Sequence, residues 1–485
     1  MMANAPTPAY RSVTPALITD LQRLLGSENV LTASSDLASY ECDGYTIEKA
    51  KPGVVVFPRH REDVVGIVKL CHAAQVPFVP RGAGTSLAGG TLSIPGCVMI
   101  ALARMKRILE VNVRDLYAVV EPGVVNLWLS RHVAQDKLHF APDPSSQGAC
   151  TIGGNVSTNS GGPHTLKYGV TVNHVLGVEL VLPDGNVVQV GGPVETPGLD
   201  LAGIIVGSEG TFGIVTRIWV RLTRNPESVR TLLGVFDSID DTTNCISGII
   251  AAGIVPAALE MIDRPIMGAL EEAFHLGFPL DAEAVLIMEV DGLEAGLDAE
   301  ADRIEQVARQ NNAREIRRAT NEAERLLLWK ARKQAFGAMG RLAPSLCTQD
   351  GVVPRTRIPY MLRKIREIGE KHQVKIANVF HAGDGNLHPT MLFDERDPAQ
   401  VKSVLAASHE ILEECIVQGG SVTGEHGIGV EKIDLMPKMF SPADVEMMTR
   451  LRLAFNPTGL CNPGKMLPSG GSCVEGLRRV TGGAS

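Results

Sequence analysis

The sequence predicts an α+β protein in two parts: an α/β first half, then a second half on an antiparallel sheet. Three observations predict it. Val54–Phe57 and Val76–Val79 are short apolar runs on either side of Arg61–Gln75, where Val64, Val65, Ile67, Val68 and Cys71 share one helical face. Val175–Leu182 and Val187–Val190 flank Pro183-Asp184-Gly185, a hairpin signal. From about Ser228 the glycines thin out. Long helical patterns such as Asp298–Trp329 then alternate with strands near Ala284–Val290 and Lys375–Phe393.

These patterns divide the chain into a helical lead-in (1–50), a Gly-rich domain (51–225) and a second domain (226–430). A helical segment (431–468) and a Pro/Gly-rich tail (469–485) follow. Hydrophobic residues make up 44% and charged residues 21%, ordinary values that exclude a disordered chain. A net charge of -8 argues against nucleic acid or an anionic membrane as partner. The nine cysteines form no C-x-x-C pair, so an iron–sulfur cluster or Cys-type zinc site of the chain's own is not expected, and reduced thiols are. Met1–Arg11 lacks the apolar run of a secretory signal. The apolar stretch Ile249–Ile262 is broken by Gly253 and Pro256 and is too short to span a bilayer. A cytoplasmic protein is expected, with any attachment to the inner membrane made through partners.

Three Gly-rich segments carry the first functional signal. Pro80-Arg81-Gly82-Ala83-Gly84-Thr85-Ser86 follows a predicted strand, and its glycines let backbone N–H groups converge on an anion, with two hydroxyls beside them. It is not a dinucleotide fingerprint, because Leu87 stands where the third glycine belongs, and no lysine completes a P-loop. Taken alone it could equally be a tight surface turn. The second segment is Pro142-Asp143-Pro144 followed by Thr151 to Gly162. Its small polar residues alternate with glycines and can lie against a flat polar ring. The third, Gly207 to Val215, is a tight turn entering a strand.

In this order and spacing the segments resemble the FAD-binding domain of vanillyl-alcohol-oxidase (PCMH) type flavoproteins. The resemblance implies that Pro80, Arg81, Gly82, Ala83, Gly84, Thr85 and Ser86 wrap the FAD pyrophosphate. It places Pro142, Asp143, Thr151, Gly154, Asn155, Ser157 and Thr158 on the isoalloxazine and ribityl side, and Gly207, Glu209, Gly213 and Ile214 at the adenine end. The first loop has no His or Cys, so the expected FAD is non-covalent, although Cys150 adjoins the second loop.

The second signal lies in the second half. His381 and His388 flank Asp384-Gly385, a turn signal between two strand-like runs, so the two rings can converge. Glu425, in Gly424-Glu425-His426-Gly427, can complete a two-His-one-carboxylate set that suits zinc, manganese or iron on composition alone. His426 is then a candidate general base. In Trp329-Lys330-Ala331-Arg332-Lys333, Arg332 is the candidate anchor for a substrate carboxylate. Without the other motifs, that stretch reads as a solvated basic helix end.

Over about Pro52 to Leu467 these motifs resemble the FAD-linked 2-hydroxy-acid dehydrogenases. The resemblance implies His381, His388 and Glu425 as ligands of a divalent metal (zinc or manganese), His426 as base, Arg332 as carboxylate anchor, and Asn462 and Lys465 returning to the flavin domain. Asp350 to Arg355, Asn378 to His381 and Asn456 to Lys465 are most similar to catalytic subunits of bacterial glycolate oxidases. That implies oxidation of a small D-2-hydroxy acid, glycolate or D-lactate. The expected partners are an iron–sulfur subunit and a second flavin-type subunit. The alternative is a stand-alone D-lactate dehydrogenase that passes electrons to a quinone, cytochrome or electron-transfer flavoprotein. Cys347-Thr348-Gln349 replaces the extra basic residue of relatives that act on 2-hydroxyglutarate, which favours a small monocarboxylate.

Overall fold

The computed structural model describes residues 10–194 and 198–468, so the expected tail (469–485) lies outside the described residues. The first half holds two main sheets. A four-stranded sheet runs in the order Val30–Leu31, Val54–Val56, Val98–Ala101, Phe78–Arg81. Val54–Val56 and Phe78–Arg81 are both parallel to Val98–Ala101, which lies between them. The predicted β-α-β unit is therefore present with a third strand inserted. Its helix, Arg61–Ala74, buries Val64, Ile67, Val68 and Cys71.

Two details differ from expectation. The strand predicted at Val76–Val79 starts at Phe78 and runs on to Arg81. The Val76 N–H instead caps the preceding helix by donating to the Cys71 carbonyl, and Pro77 has no N–H to give. The lead-in is also more than helical. After the helix Pro15–Leu25, Val30–Leu31 pairs antiparallel with Val55 and Val56.

A five-stranded antiparallel sheet follows, in the order Ile108–Asn112, Tyr117–Val120, Ile214–Arg221, Val175–Val181, Val187–Gly191. The predicted hairpin closes with Val181 opposite Val187. The strand Ile214–Arg221 leaves directly from the third Gly-rich segment.

The second half is one nine-stranded antiparallel sheet. Glu315–Arg318, Ser228–Phe236, Ala284–Gly292, Ala258–Asp263 and Lys375–His381 lie side by side. One face packs on helices Ile239–Ala251, Glu294–Gln310, Ile358–His372 and Pro398–Val417. The other packs on Arg264–Phe274 and Glu322–Met339. The helical pattern read over Asp298–Trp329 is in fact two helices parted by the strand Glu315–Arg318. That strand reads Glu-Ile-Arg-Arg because it is a sheet edge, where charge blocks further pairing.

After the helix Pro442–Phe455 the chain returns to the first sheet. Phe78 N–H donates to the Leu460 carbonyl at 2.9 Å, and Asn462 N–H donates to the Phe78 carbonyl at 2.8 Å. Among the described residues no helix is long and apolar enough to cross a membrane.

Candidate active site

A cavity of about 360 Å³ runs between the two halves. Pro80 to Leu87, Thr151, Gly154, Asn155, Ser157, Thr158 and Glu209 line it from the first half. Lys333, Phe336, His388, Glu425 and His426 close one end from the second.

The first loop is shaped by close approach. A Cβ on Gly84, where φ is +71°, would run into the Arg81 guanidinium. A Cβ on Gly82 would lie 2.6 Å from Thr151 Oγ1. The Arg81 guanidinium is spent inside the protein: Nη1 donates to the Cys42 carbonyl (2.8 Å) and to Thr91 Oγ1 (3.1 Å), beneath the loop. Ser86 Oγ is buried with no protein partner, a donor free for an anion.

The second segment is tied from behind. Asn126 Nδ2 donates both to the Pro142 carbonyl (2.8 Å) and to Asn155 Oδ1 (3.0 Å). Pro142 therefore stands behind the wall. Asp143 does too: its carboxylate pairs with His164 Nδ1 at 2.8 Å, and the His164 ring stacks on Trp329 across the interface. Burial alone would lower the His164 pKa, but Asp143 and Glu289 outweigh it and push it up to about 10.

Gly207, Gly213 and Ile214 do not line the cavity. Gly207 N–H donates to the Val156 carbonyl, and Ile214 pairs with Val181. Glu209 lines the cavity and also grips the second half. Its oxygens accept from Ile428 N–H (2.7 Å) and Gly429 N–H (2.8 Å). Gly427, at φ +87°, has no room for a Cβ against this carboxylate. Asn462 and Lys465 do return to the first half, as supports. Asn462 Nδ2 donates to the Gly90 and Glu209 carbonyls, and Lys465 Nζ donates to the Leu92 carbonyl.

His381 and His388 converge as expected, by a different register. His381 is paired with Asn386, not with His388. His388 lies two residues further on the same face, where the strand breaks before Pro389, so it meets His381 diagonally. Both Nε2 atoms point at one oxygen, Glu425 Oε1, at 3.2 Å from His381 and 3.3 Å from His388. Two donors bound at about 2.0–2.2 Å to one ion sit roughly 3.0–3.4 Å apart, so this spacing fits a shared divalent cation.

The outer nitrogens are fixed too. His381 Nδ1 meets Glu260 Oε1 at 2.7 Å, and His388 Nδ1 meets the Gln349 carbonyl at 3.2 Å. Burial would lower the His381 pKa, but Glu260 and Glu425 raise it to about 10. Burial would raise Glu425, but His381 and His388 hold it well below the usual range.

His426 stacks on His388, with centroids 5.0 Å apart. Burial pushes its pKa down to about 4, so the ring is neutral. Its Nδ1 is buried without a hydrogen-bond partner, and the residue lines the cavity. A wider set of ligand atoms, one each from Asp350, His388, Glu425 and His426, also falls within 4.8 Å. Asp350 serves it poorly, because its Oδ2 already accepts four hydrogen bonds.

Arg332 lies behind His381 and does not line the cavity. It is 1% exposed and ion-paired through Nε to Glu260, with Nη1 left without a partner. Lys333 and Phe336, three apart on the same helix, present the cavity-facing stripe.

Sequence reasoning missed Glu260, Asn126 and His164, and it gave Asp350 no role beyond its place in the motif Asp350 to Arg355. Glu260 left a signal of its own: one carboxylate inside the apolar run Ala257–Ile262.

Residues 52–191 match the FAD binding domain family, and residues 225–466 match the C-terminal domain of FAD linked oxidases. The chain is 42% identical over 447 residues to glycolate oxidase subunit GlcD of Escherichia coli, covering 92% of this chain and 90% of that one. The chain belongs to the FAD-linked oxidase family.

The Bacillus subtilis subunit of the same name is 38% identical, over 92% of this chain and 95% of its own. The mitochondrial D-lactate dehydrogenase [cytochrome] of Arabidopsis thaliana is 30% identical, over 95% and 81%. Among solved structures, p-cresol methylhydroxylase with substrate bound superposes with a TM-score of 0.80 at 18% identity, over 95% of this chain and 98% of that one. The 4-ethylphenol oxidase of Gulosibacter chungangensis gives 0.78 at 20%, over 94% and 98%. At those identities the likeness establishes the vanillyl-alcohol-oxidase type fold. This member of the family is thus an FAD-linked oxidoreductase, and the long cavity walled by the three Gly-rich segments suits its flavin.

Proposed function

We propose that this oxidoreductase converts a small D-2-hydroxy acid, glycolate or D-lactate, to the 2-oxo acid. The observation that carries this reading is the meeting of His381 Nε2 and His388 Nε2 on Glu425 Oε1 at the end of the flavin cavity, with His426 beside them. The 42% identical relative, named as a glycolate oxidase subunit, supports it.

A bound, non-covalent FAD would supply the acceptor for the hydride of C2, and a divalent metal, zinc or manganese, would supply Lewis acidity toward the hydroxyl. His381, His388 and Glu425 hold that metal. Ser86, Thr85 and the Gly82–Gly84 backbone hold the pyrophosphate, and Arg81 braces their loop from below. Gly154, Asn155, Ser157 and Thr158 face the ring system. His426 takes the hydroxyl proton. Arg332 is the proposed anchor for the substrate carboxylate, reached when its Nη1, which no protein group occupies, turns past His381 toward the cavity. Electrons then pass to partners, an iron–sulfur subunit and a second flavin-type subunit. The nine cysteines include no C-x-x-C cluster motif, and two relatives are themselves named as subunits.

The test is anaerobic. The yellow protein is mixed in separate cuvettes with glycolate, D-lactate, L-lactate and D-2-hydroxyglutarate. Bleaching by glycolate or D-lactate alone is expected. Bleaching by D-2-hydroxyglutarate alone, or by none of the four in metal-loaded protein, would overturn the substrate class.

A further inference from the structure

We propose that Asp350 is the positioning residue that holds Glu425 and His426 in place, with Lys432 as its buried counter-cation. The inference rests on the metal and base roles proposed above for the neighbouring side chains.

The turn that carries Glu425 and His426 has no regular secondary structure, so something other than a ladder must fix it. Asp350 does so with one oxygen. Its Oδ2 accepts from Thr423 Oγ1 (2.6 Å) and from three successive backbone N–H groups: Gly424 (2.9 Å), Glu425 (3.0 Å) and His426 (2.7 Å). Successive N–H groups converging this way form a nest that prefers a full negative charge. Thr423 is shared, because its Oγ1 also accepts from Gly427 N–H at 2.9 Å.

The charge is provided for from the same stretch of chain. Lys432 and Asp350 are both fully buried, with Lys432 Nζ 3.8 Å from Asp350 Oδ2. Lys432 Nζ has no hydrogen-bond partner in the protein, so Asp350 is its electrostatic partner. The far end of the turn hangs on Glu209, through Ile428 and Gly429. The turn is thus stretched between a carboxylate of each half. Asp350 is the one on the side of the two histidines, and the carbonyl of its neighbour Gln349 orients His388.

The variants are Asp350→Asn, which keeps size and removes charge, and Thr423→Val, which removes one donor and buries no new charge. Each is assayed as FAD-loaded full chain for Zn and Mn affinity by equilibrium dialysis, for amide exchange of residues 423–429, and for FAD content and melting temperature. In Asp350→Asn the metal affinity is expected to fall 10- to 100-fold and exchange of residues 423–429 to speed up at least tenfold. FAD content should hold, and Asp350→Glu should restore part of the affinity. Thr423→Val should show the same pattern, several-fold. Unchanged affinity and exchange in both variants would overturn the proposal. So would parallel loss of FAD and melting temperature in both, since that marks a merely structural role. If the parent protein binds neither metal, the metal reading above fails, and the exchange of residues 423–429 alone decides the role of Asp350.

Discussion

Glu260 and His381 face each other across adjacent strands, and Glu260 Oε1 holds His381 Nδ1 at 2.7 Å. That contact fixes the ring orientation that turns Nε2 toward Glu425. Glu260 Oε2 pairs with Arg332, so one fully buried carboxylate serves a histidine of the proposed ligand set and a cation together. Glu260→Gln should therefore act twice. Metal affinity should fall by about 10- to 100-fold. Stability should fall by about 3–5 kcal/mol, because Arg332 stays buried without its partner. Equilibrium dialysis and urea unfolding check both, and unchanged metal affinity would remove Glu260 from the site.

His426→Ala should retain the yellow flavin and lose turnover by about 10²- to 10⁴-fold, the range for loss of a general base. Stopped-flow flavin reduction measures it. A variant that reduces its flavin at the parent rate would rule His426 out as base.

Removing divalent metal with a chelator should leave the visible spectrum in place and abolish bleaching by hydroxy acid, with zinc or manganese restoring it. The convergence of three donors is the reason to expect this. Full bleaching after verified metal removal would count against a metal role.

Arg332→Lys should raise KM more than tenfold with smaller change in kcat, since the single nitrogen of a lysine cannot span from Glu260 to a second partner as the guanidinium fork can. Lys333→Met, on the exposed stripe of the same helix, leaves the Glu260 pair untouched. The reverse ranking of the two KM effects would transfer the anchor to Lys333.

Asp263 gives a pH dependence away from the site. It caps the helix Arg264–Phe274 and is buried beside Asn378, and burial pushes its pKa up to about 7. Because the folded pKa is raised, the native state binds the extra proton. This stabilising term is complete below about pH 3.9 and is lost as pH rises through about 7. Between pH 5 and pH 8 the parent should lose roughly 3 kcal/mol that Asp263→Asn does not lose. Urea midpoints of both proteins at the two pH values measure it. Parallel pH profiles would show that Asp263 does not titrate in that window.

Much was legible in the sequence because its signals are local. Apolar period marks the strand Val54–Val56 and the helix Arg61–Ala74, and Pro183-Asp184-Gly185 marks a turn. Glycines cluster where the backbone passes close to other groups, as at Gly82 beside Thr151 and Gly84 beside the Arg81 guanidinium, and His and Glu types announce a possible ligand set. Residue type and spacing marked His381, His388, Glu425 and His426 as a candidate ligand set and base, and the family resemblance supplied the roles proposed for them.

What only the tertiary structure decided is who holds whom, because those contacts join residues far apart in the chain. His388 meets His381 through a strand break and not by direct pairing. Asp143, Asn462 and Lys465 brace the cavity from behind, and Arg81, although in its lining, spends its guanidinium on internal partners. The Glu260–Arg332 pair spans 72 residues, and the bond from His426 N–H to Asp350 spans 76. A buried charge must be matched by whatever the fold brings beside it, and no local pattern states what that will be.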